Sequence, residues 1–116
     1  MDGTSSISAS LPVAVIGAGP VGLAAAAQLA TRGQNFILFE SGPVPGAAMR
    51  EWGHVTFFSP WRYTVDDAAR ALLEPMGWTM PDPDRDPTGR ELVERYLVPL
   101  AGHPAIAPHL RFNARV

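Results

Sequence analysis

One segment constrains this chain more than any other: Gly17-Ala18-Gly19-Pro20-Val21-Gly22, set between an apolar run and an alanine-rich stretch. Residues 11–16 are apolar, rich in β-branched side chains and stop at a glycine, the pattern of a buried strand. Residues 20–32 predict a helix. Proline suits its first turn, where the missing N–H has no intrahelical partner. The alanines at 24–27 favour helix, and Gly33 is a natural stop. Residues 36–40 form a second apolar run that closes on Glu40. Strand, helix and strand in this order make a βαβ unit with a right-handed crossover and parallel strands.

Each glycine has a physical task in that setting. Gly17 permits the tight turn out of the strand. Gly19, without a Cβ, lets a pyrophosphate approach the backbone, and Gly22 lets the helix pack closely on the sheet. The helix N-terminus offers unpaired N–H groups and a positive dipole end to phosphates, so no basic side chain is needed there. Glu40 is placed to accept hydrogen bonds from ribose hydroxyls, and its charge disfavours a 2′-phosphate. The glycine spacing alone is weak. The strand before it, the helix after it and the acid closing the next strand turn it into a dinucleotide fingerprint.

The rest of the chain is heavily punctuated. It has 12 prolines, of which only Pro12 and Pro20 precede Glu40. Residues 41–63 read as irregular, with a short strand expected at 54–58. Thr64 and Asp67 stand at capping-box spacing before a helix expected over 65–74, ended by Pro75 and Gly77. Residues 80–87 alternate proline and aspartate and read as a solvated loop. Thr88 and Glu91 form a second capping box for a helix over 89–101, with Leu92, Val93, Tyr96, Leu97 and Leu100 at helical spacing as core. Pro99 should kink or shorten it. Leu110, Phe112, Ala114 and Val116 alternate with polar residues, predicting a third strand over 110–116. The expected architecture is α/β: a Rossmann-like FAD/NAD(P)-binding half-domain, incomplete, with parallel strand order 3-2-1. Residues 1–10, rich in Ser, Gly and Thr, read as a flexible leader to a single domain over 11–116.

The segment 13–23 together with Phe39-Glu40-Ser41-Gly42 resembles the N-terminus of FAD-dependent oxidoreductases with two dinucleotide-binding domains, such as flavin-dependent monooxygenases and pyridine-nucleotide-linked reductases. The resemblance implies that this unit binds the ADP half of FAD. It puts Gly17, Gly19 and Gly22, with Pro20 and Val21 between them, on the pyrophosphate, and Glu40 followed by Ser41 on the adenosine ribose. A strand-end valine whose backbone lies against adenine corresponds to Val116. The family's Gly-Gly-x-Trp-like turn is here Pro45-Gly46-Ala47-Ala48-Met49-Arg50, so only Gly46 matches; Arg50 is a candidate phosphate ligand. In such proteins NAD(P)H reduces the flavin, and electrons pass to substrate or oxygen. The chain is expected to be only the N-terminal portion of such a protein, so the partners expected are the dinucleotide cofactor and the missing C-terminal domains or a complementary chain, with a homo-oligomer as a further option. Alone it is expected to be inactive, and no catalytic residue is named. A stand-alone NAD- or ADP-binding module and a non-binding subunit of a split flavoprotein are the alternatives.

Composition removes other classes. The chain has no cysteine, which excludes disulfides, thiolate zinc sites and the cysteine pair of the glutathione-reductase type. Its nine basic residues are all arginine, which excludes lysine chemistry. A formal net charge of -2 gives no footprint for nucleic acid. The uncharged stretch 3–31 is broken by Gly17, Gly19, Pro20 and Gly22 and is not expected to span a membrane. With no targeting segment read, a cytoplasmic location is expected. His54, His103 and His109 share no metal-ligand spacing, and no metal is expected. Trp52, Phe57, Phe58, Trp61 and Tyr63 crowd together and are read first as an aromatic mini-core, with a wall beside a flavin as the other reading.

Overall fold

The computed structural model describes residues 11–51 and 53–116. The expected leader over 1–10 and any part played by Trp52 lie outside the described residues. Strand β1 (Val13–Ile16) leads through helix α1 (Pro20–Thr31) to β2 (Phe36–Phe39). The second connection holds α2 (Ala47–Arg50), α3 (Trp61–Thr64) and α4 (Asp67–Leu73). It continues through α5 (Gly89–Leu92), a π-helical turn (Val93–Leu97) and α6 (Val98–Ala101) before β3 (Leu110–Arg111). The sheet is parallel in the order β1-β2-β3, as expected, with β2 in the centre.

Both crossovers advance in one direction, so right-handedness puts their helices on one face. Helix α1 packs on β1, β2 and α4. Alternation in β2 shows the same asymmetry: Phe36 and Leu38 are buried, while Ile37 and Phe39 are half-buried. Ile16, in register with Phe39, is 62% exposed. One sheet face and the β1 edge therefore carry uncovered apolar surface, whereas parallel sheets are normally covered on both sides.

The core forms between the sheet and the second connection. Leu92, Val93, Tyr96, Leu97 and Leu100 are all buried, so the helical stripe read from the sequence is core. Thr88 and Glu91 form the expected capping box, with both reciprocal bonds present. Pro99 has no N–H to offer the Arg95 carbonyl four residues back. The helix does not end there but continues to Ala101. The preceding turn widens to a π turn, and the Arg95 carbonyl accepts a 2.6 Å bond from the Trp78 indole N–H.

Three expectations shift. Helix α4 begins at Asp67 and is capped by Asp66, whose carboxylate accepts from the Ala69 N–H. Thr64 is instead drawn into α3, its hydroxyl donating to the Ser59 and Pro60 carbonyls. The 80–87 loop is as expected, with residues 82–85 exposed, and it is tied down where Trp61 and Arg62 donate to the Arg85 and Pro83 carbonyls and Pro87 is buried. The third strand is only two residues long, because Asn113 turns into the left-handed region at φ 55°. The strand expected at 54–58 is reduced to one antiparallel bridge, Thr56 to Thr88.

Candidate functional site

The register Ile16 to Phe39 brings the carboxyl ends of β1 and β2 side by side. Gly17 donates to the Phe39 carbonyl at 2.8 Å and turns with φ +94°, a conformation that favours glycine. Gly19 is the N-cap of α1, and no side chain caps that end. The first-turn N–H groups are thus left for an outside acceptor. A Cβ on Gly19 would meet nothing within 4 Å, so the approach to this helix end is open. Gly22 is the opposite case. A Cβ there would lie 2.9 Å from the Gly17 carbonyl carbon and overlap its oxygen. Only glycine lets α1 start this close to the turn.

Glu40 sits across from the turn. One carboxylate oxygen accepts from the Ala18 N–H and the other from the Gly42 N–H, each at 2.7 Å. Its backbone is pinned as well: Glu40 N–H donates to the Arg111 carbonyl, and Ala114 N–H donates to the Glu40 carbonyl, both at 2.9 Å. These ties open a cleft of about 250 Å³ between the strand ends. Gly17, Glu40, Ser41 and Val116, each singled out separately in the sequence, line it together. Ile16, Phe39, Ala114 and Arg115 line it too and were not singled out from the sequence. The first two could have been found by placing the strand ends in register. The last two depend on the turn at Asn113.

Gly46 is brought to the same place from behind, its N–H donating to the Ala18 carbonyl at 2.9 Å. It has φ +65° and lies against Val93 and Leu97. Pro20 and Val21 stand on the open side of the turn, with Val21 85% exposed. Arg50 is not in this cleft; it lines another with Arg90.

The weaker candidates scatter. Trp61 is fully buried, and its indole N–H has no partner among the described residues. Phe57 is half-buried, Phe58 fully exposed and Tyr63 largely exposed, so the aromatic cluster divides between core and surface. His54 is exposed, His103 accepts from the Ala105 N–H, and His109 stacks on Phe36 at 4.3 Å. Among the described residues no cluster could hold a metal ion, and no helix is long and apolar enough to cross a membrane. Three displaced pKa values belong to the second connection, one of them Arg85, raised by its bond to Glu91. Bonds from Arg85 and from the Thr88 backbone lower Glu91 to about 2, and burial raises Tyr96 to about 12.

The model of the NAD(P)-binding Rossmann-like domain family matches residues 15–81, more than half of the chain. The chain belongs to that family. In fold it is similar to about a fifth of OTEMO, a protein solved in complex with FAD and NADP (forms 1 and 4). Form 1 gives a TM-score of 0.65 at 23% identity, covering 92% of this chain and 19% of that one. Form 4 gives a TM-score of 0.55 at 23% identity, covering 92% of this chain and 20% of that one. Among curated proteins, the NADP(+)-dependent formate dehydrogenase subunit beta of Moorella thermoacetica is 48% identical over 46 residues, 40% of this chain and 6% of that protein. The Rossmann-like domain thus spans a small part of each relative.

Proposed function

We propose that the glycine turn and the Glu40 cleft hold the adenosine diphosphate half of FAD, and that the chain is the FAD-binding portion of an oxidoreductase. One observation carries this reading: the Glu40 carboxylate is fixed to the Ala18 N–H beside an uncapped, unobstructed helix end at Gly19. The α1 N-terminus, with Gly17, Gly19, Pro20, Val21 and Gly22, takes the pyrophosphate. Each Glu40 oxygen keeps acceptor capacity for a ribose hydroxyl. Ser41 flanks the ribose, and the backbone of Val116 lies against adenine. Gly46 supports the turn through Ala18. Bound flavin would accept a hydride from a reduced nicotinamide and deliver electrons to substrate or oxygen; this chain contributes binding and position.

The uncovered sheet face and β1 edge fit a domain that works against further polypeptide, either later domains or a complementary chain. Apolar surface of this kind marks an interaction site. A second reading is NAD itself at the same cleft. The family description favours it, and nothing in the adenosine half separates the two ligands.

Equilibrium dialysis of the chain against FAD and against NAD tests the reading. One-to-one FAD binding is expected, abolished by Gly19→Val. That side chain meets no protein atom at its Cβ yet blocks the phosphate approach. Binding of NAD without FAD would favour the second reading. FAD binding that survives Gly19→Val would contradict the proposed site.

A further inference from the structure

Arg50 closes α2, and Arg90 stands in the first turn of α5. Both line a cleft of about 170 Å³ with Gly53, Val93 and Glu94. Its frame is continuous backbone. Arg90 N–H donates to the Gly53 carbonyl at 3.1 Å, Gly53 N–H to the Arg50 carbonyl at 3.3 Å, and Arg50 N–H to the Gly46 carbonyl at 3.2 Å. Gly46 in turn donates to Ala18 in the glycine turn. The cleft is therefore anchored to the segment that follows the carboxyl end of β2, the side of a parallel sheet where ligands bind.

The ion pairs found among the described residues engage other arginines: Arg62 with Asp84, Arg70 with Glu74 and Arg85 with Glu91. None involves Arg50 or Arg90. Glu94 is four residues beyond Arg90, a spacing at which helices often form ion pairs, yet no such pair forms. Gly53 lies directly against Arg90, since a Cβ there would be in ordinary contact with Arg90 Cβ and Nε at 3.5 and 3.7 Å. Two exposed arginines lining one concavity, neither of them in an ion pair, suit an oxyanion.

We propose that Arg50 and Arg90 clamp an oxyanion, the phosphate ester or carboxylate of a substrate or second ligand, at a site separate from the adenosine cleft. Glu94 leaves the cleft with one net positive charge, which favours a singly charged group. The proposal does not depend on which dinucleotide the glycine turn holds.

The test follows the arginine Nε–H signals of the isotopically labelled chain by NMR during titration with inorganic phosphate and, separately, with acetate. The signals lost in Arg50→Gln and Arg90→Gln identify the two groups, and Arg32 at the end of α1 is the internal control. Both signals should move saturably. Each variant should weaken phosphate binding roughly tenfold, as loss of a charged hydrogen bond does. Glu94→Gln should strengthen it. Tighter binding of phosphate than of acetate would identify a phosphate ester, and the reverse a carboxylate. Shifts at Arg50 and Arg90 no larger than at Arg32 would overturn the proposal, as would affinity unchanged in both variants. ADP-ribose titrated into the same samples keeps the two readings apart. Its binding with no phosphate response removes this site alone, and a phosphate response without ADP-ribose binding removes the cofactor reading alone.

Discussion

The carboxylate of Glu40 and the backbone N–H of Ala18 are joined by a 2.7 Å hydrogen bond, while Gly42 holds the other carboxylate oxygen at the same distance. Charge-assisted bonds of this length are the stronger kind. They hold the acid at the mouth of the cleft proposed for adenosine before any ligand arrives, so on that reading little ordering remains to be done on binding. The same two bonds lash the glycine turn to the turn after β2. Glu40 is thus a strut of the glycine turn as well as the ribose ligand proposed above.

The two glycines of the turn should separate stability from binding. Gly22→Ala forces a methyl onto the Gly17 carbonyl, an overpacking that costs about 1–3 kcal/mol. Gly19→Ala meets no protein atom and should leave the melting temperature nearly unchanged while weakening ADP-ribose binding. Thermal melts and ligand titrations of the two variants check this. Equal destabilisation by both would show that the turn is not built as described.

Tyr96 should set an alkaline limit. Its hydroxyl accepts from the Asp66 N–H at 3.1 Å, and burial raises its pKa from 10.0 to about 12. The unfolded chain then loses this proton first, so stability is full below pH 10 and falls as pH rises through about 12. Tyr96→Phe should remove that limb and cost about 1 kcal/mol for the lost acceptor. Denaturant melts across the alkaline range measure both effects.

Glu91 should act in acid. Hydrogen bonds from Arg85 come first among the causes that lower its pKa from 4.5 to about 2. The folded state favours the ionised form, so this contribution is present above pH 4.5 and is lost as pH falls through about 2. Arg85→Gln should flatten that acid dependence. Thr88→Ala should cost about 1 kcal/mol at neutral pH as a lost N-cap. Urea melts at a series of pH values distinguish the two variants.

Trp78 should steady the π turn. Trp78→Phe leaves the Arg95 carbonyl without its indole donor, in a helix where Pro99 cannot replace it. A loss of about 1 kcal/mol is expected, the net worth of one hydrogen bond. Faster amide exchange confined to residues near the π turn would locate the effect. Unchanged exchange there would contradict it.

Much of the first βαβ unit was legible because each signal in it is local. The run of residues 11–16, the Pro20 start and the Gly33 stop act within a few residues of themselves, and Glu40 was found by its place at the end of the second apolar run. The later failures share a cause: competing local solutions that only tertiary contacts decide. Thr64 and Asp66 can each cap a helix, and Thr64 is taken by the Ser59 and Pro60 carbonyls. The alternation at 110–116 implies a long strand, but Asn113 breaks it, and that turn aligns Asn113 and Ala114 with Gly42 and Glu40. Arg115 and Arg90 carried no local signal as site residues. Their clefts exist only once segments distant in sequence are packed together.

The most direct test of the account is calorimetric titration of the chain with ADP-ribose, FAD and NADP, repeated with Glu40→Ala, whose fold is checked by circular dichroism. Saturable binding of ADP-ribose and FAD is expected, with much weaker binding of NADP and loss of ADP-ribose binding in a variant that keeps its helix content. ADP-ribose affinity equal in the two proteins, or no binding of any ligand to the unaltered chain, would contradict it.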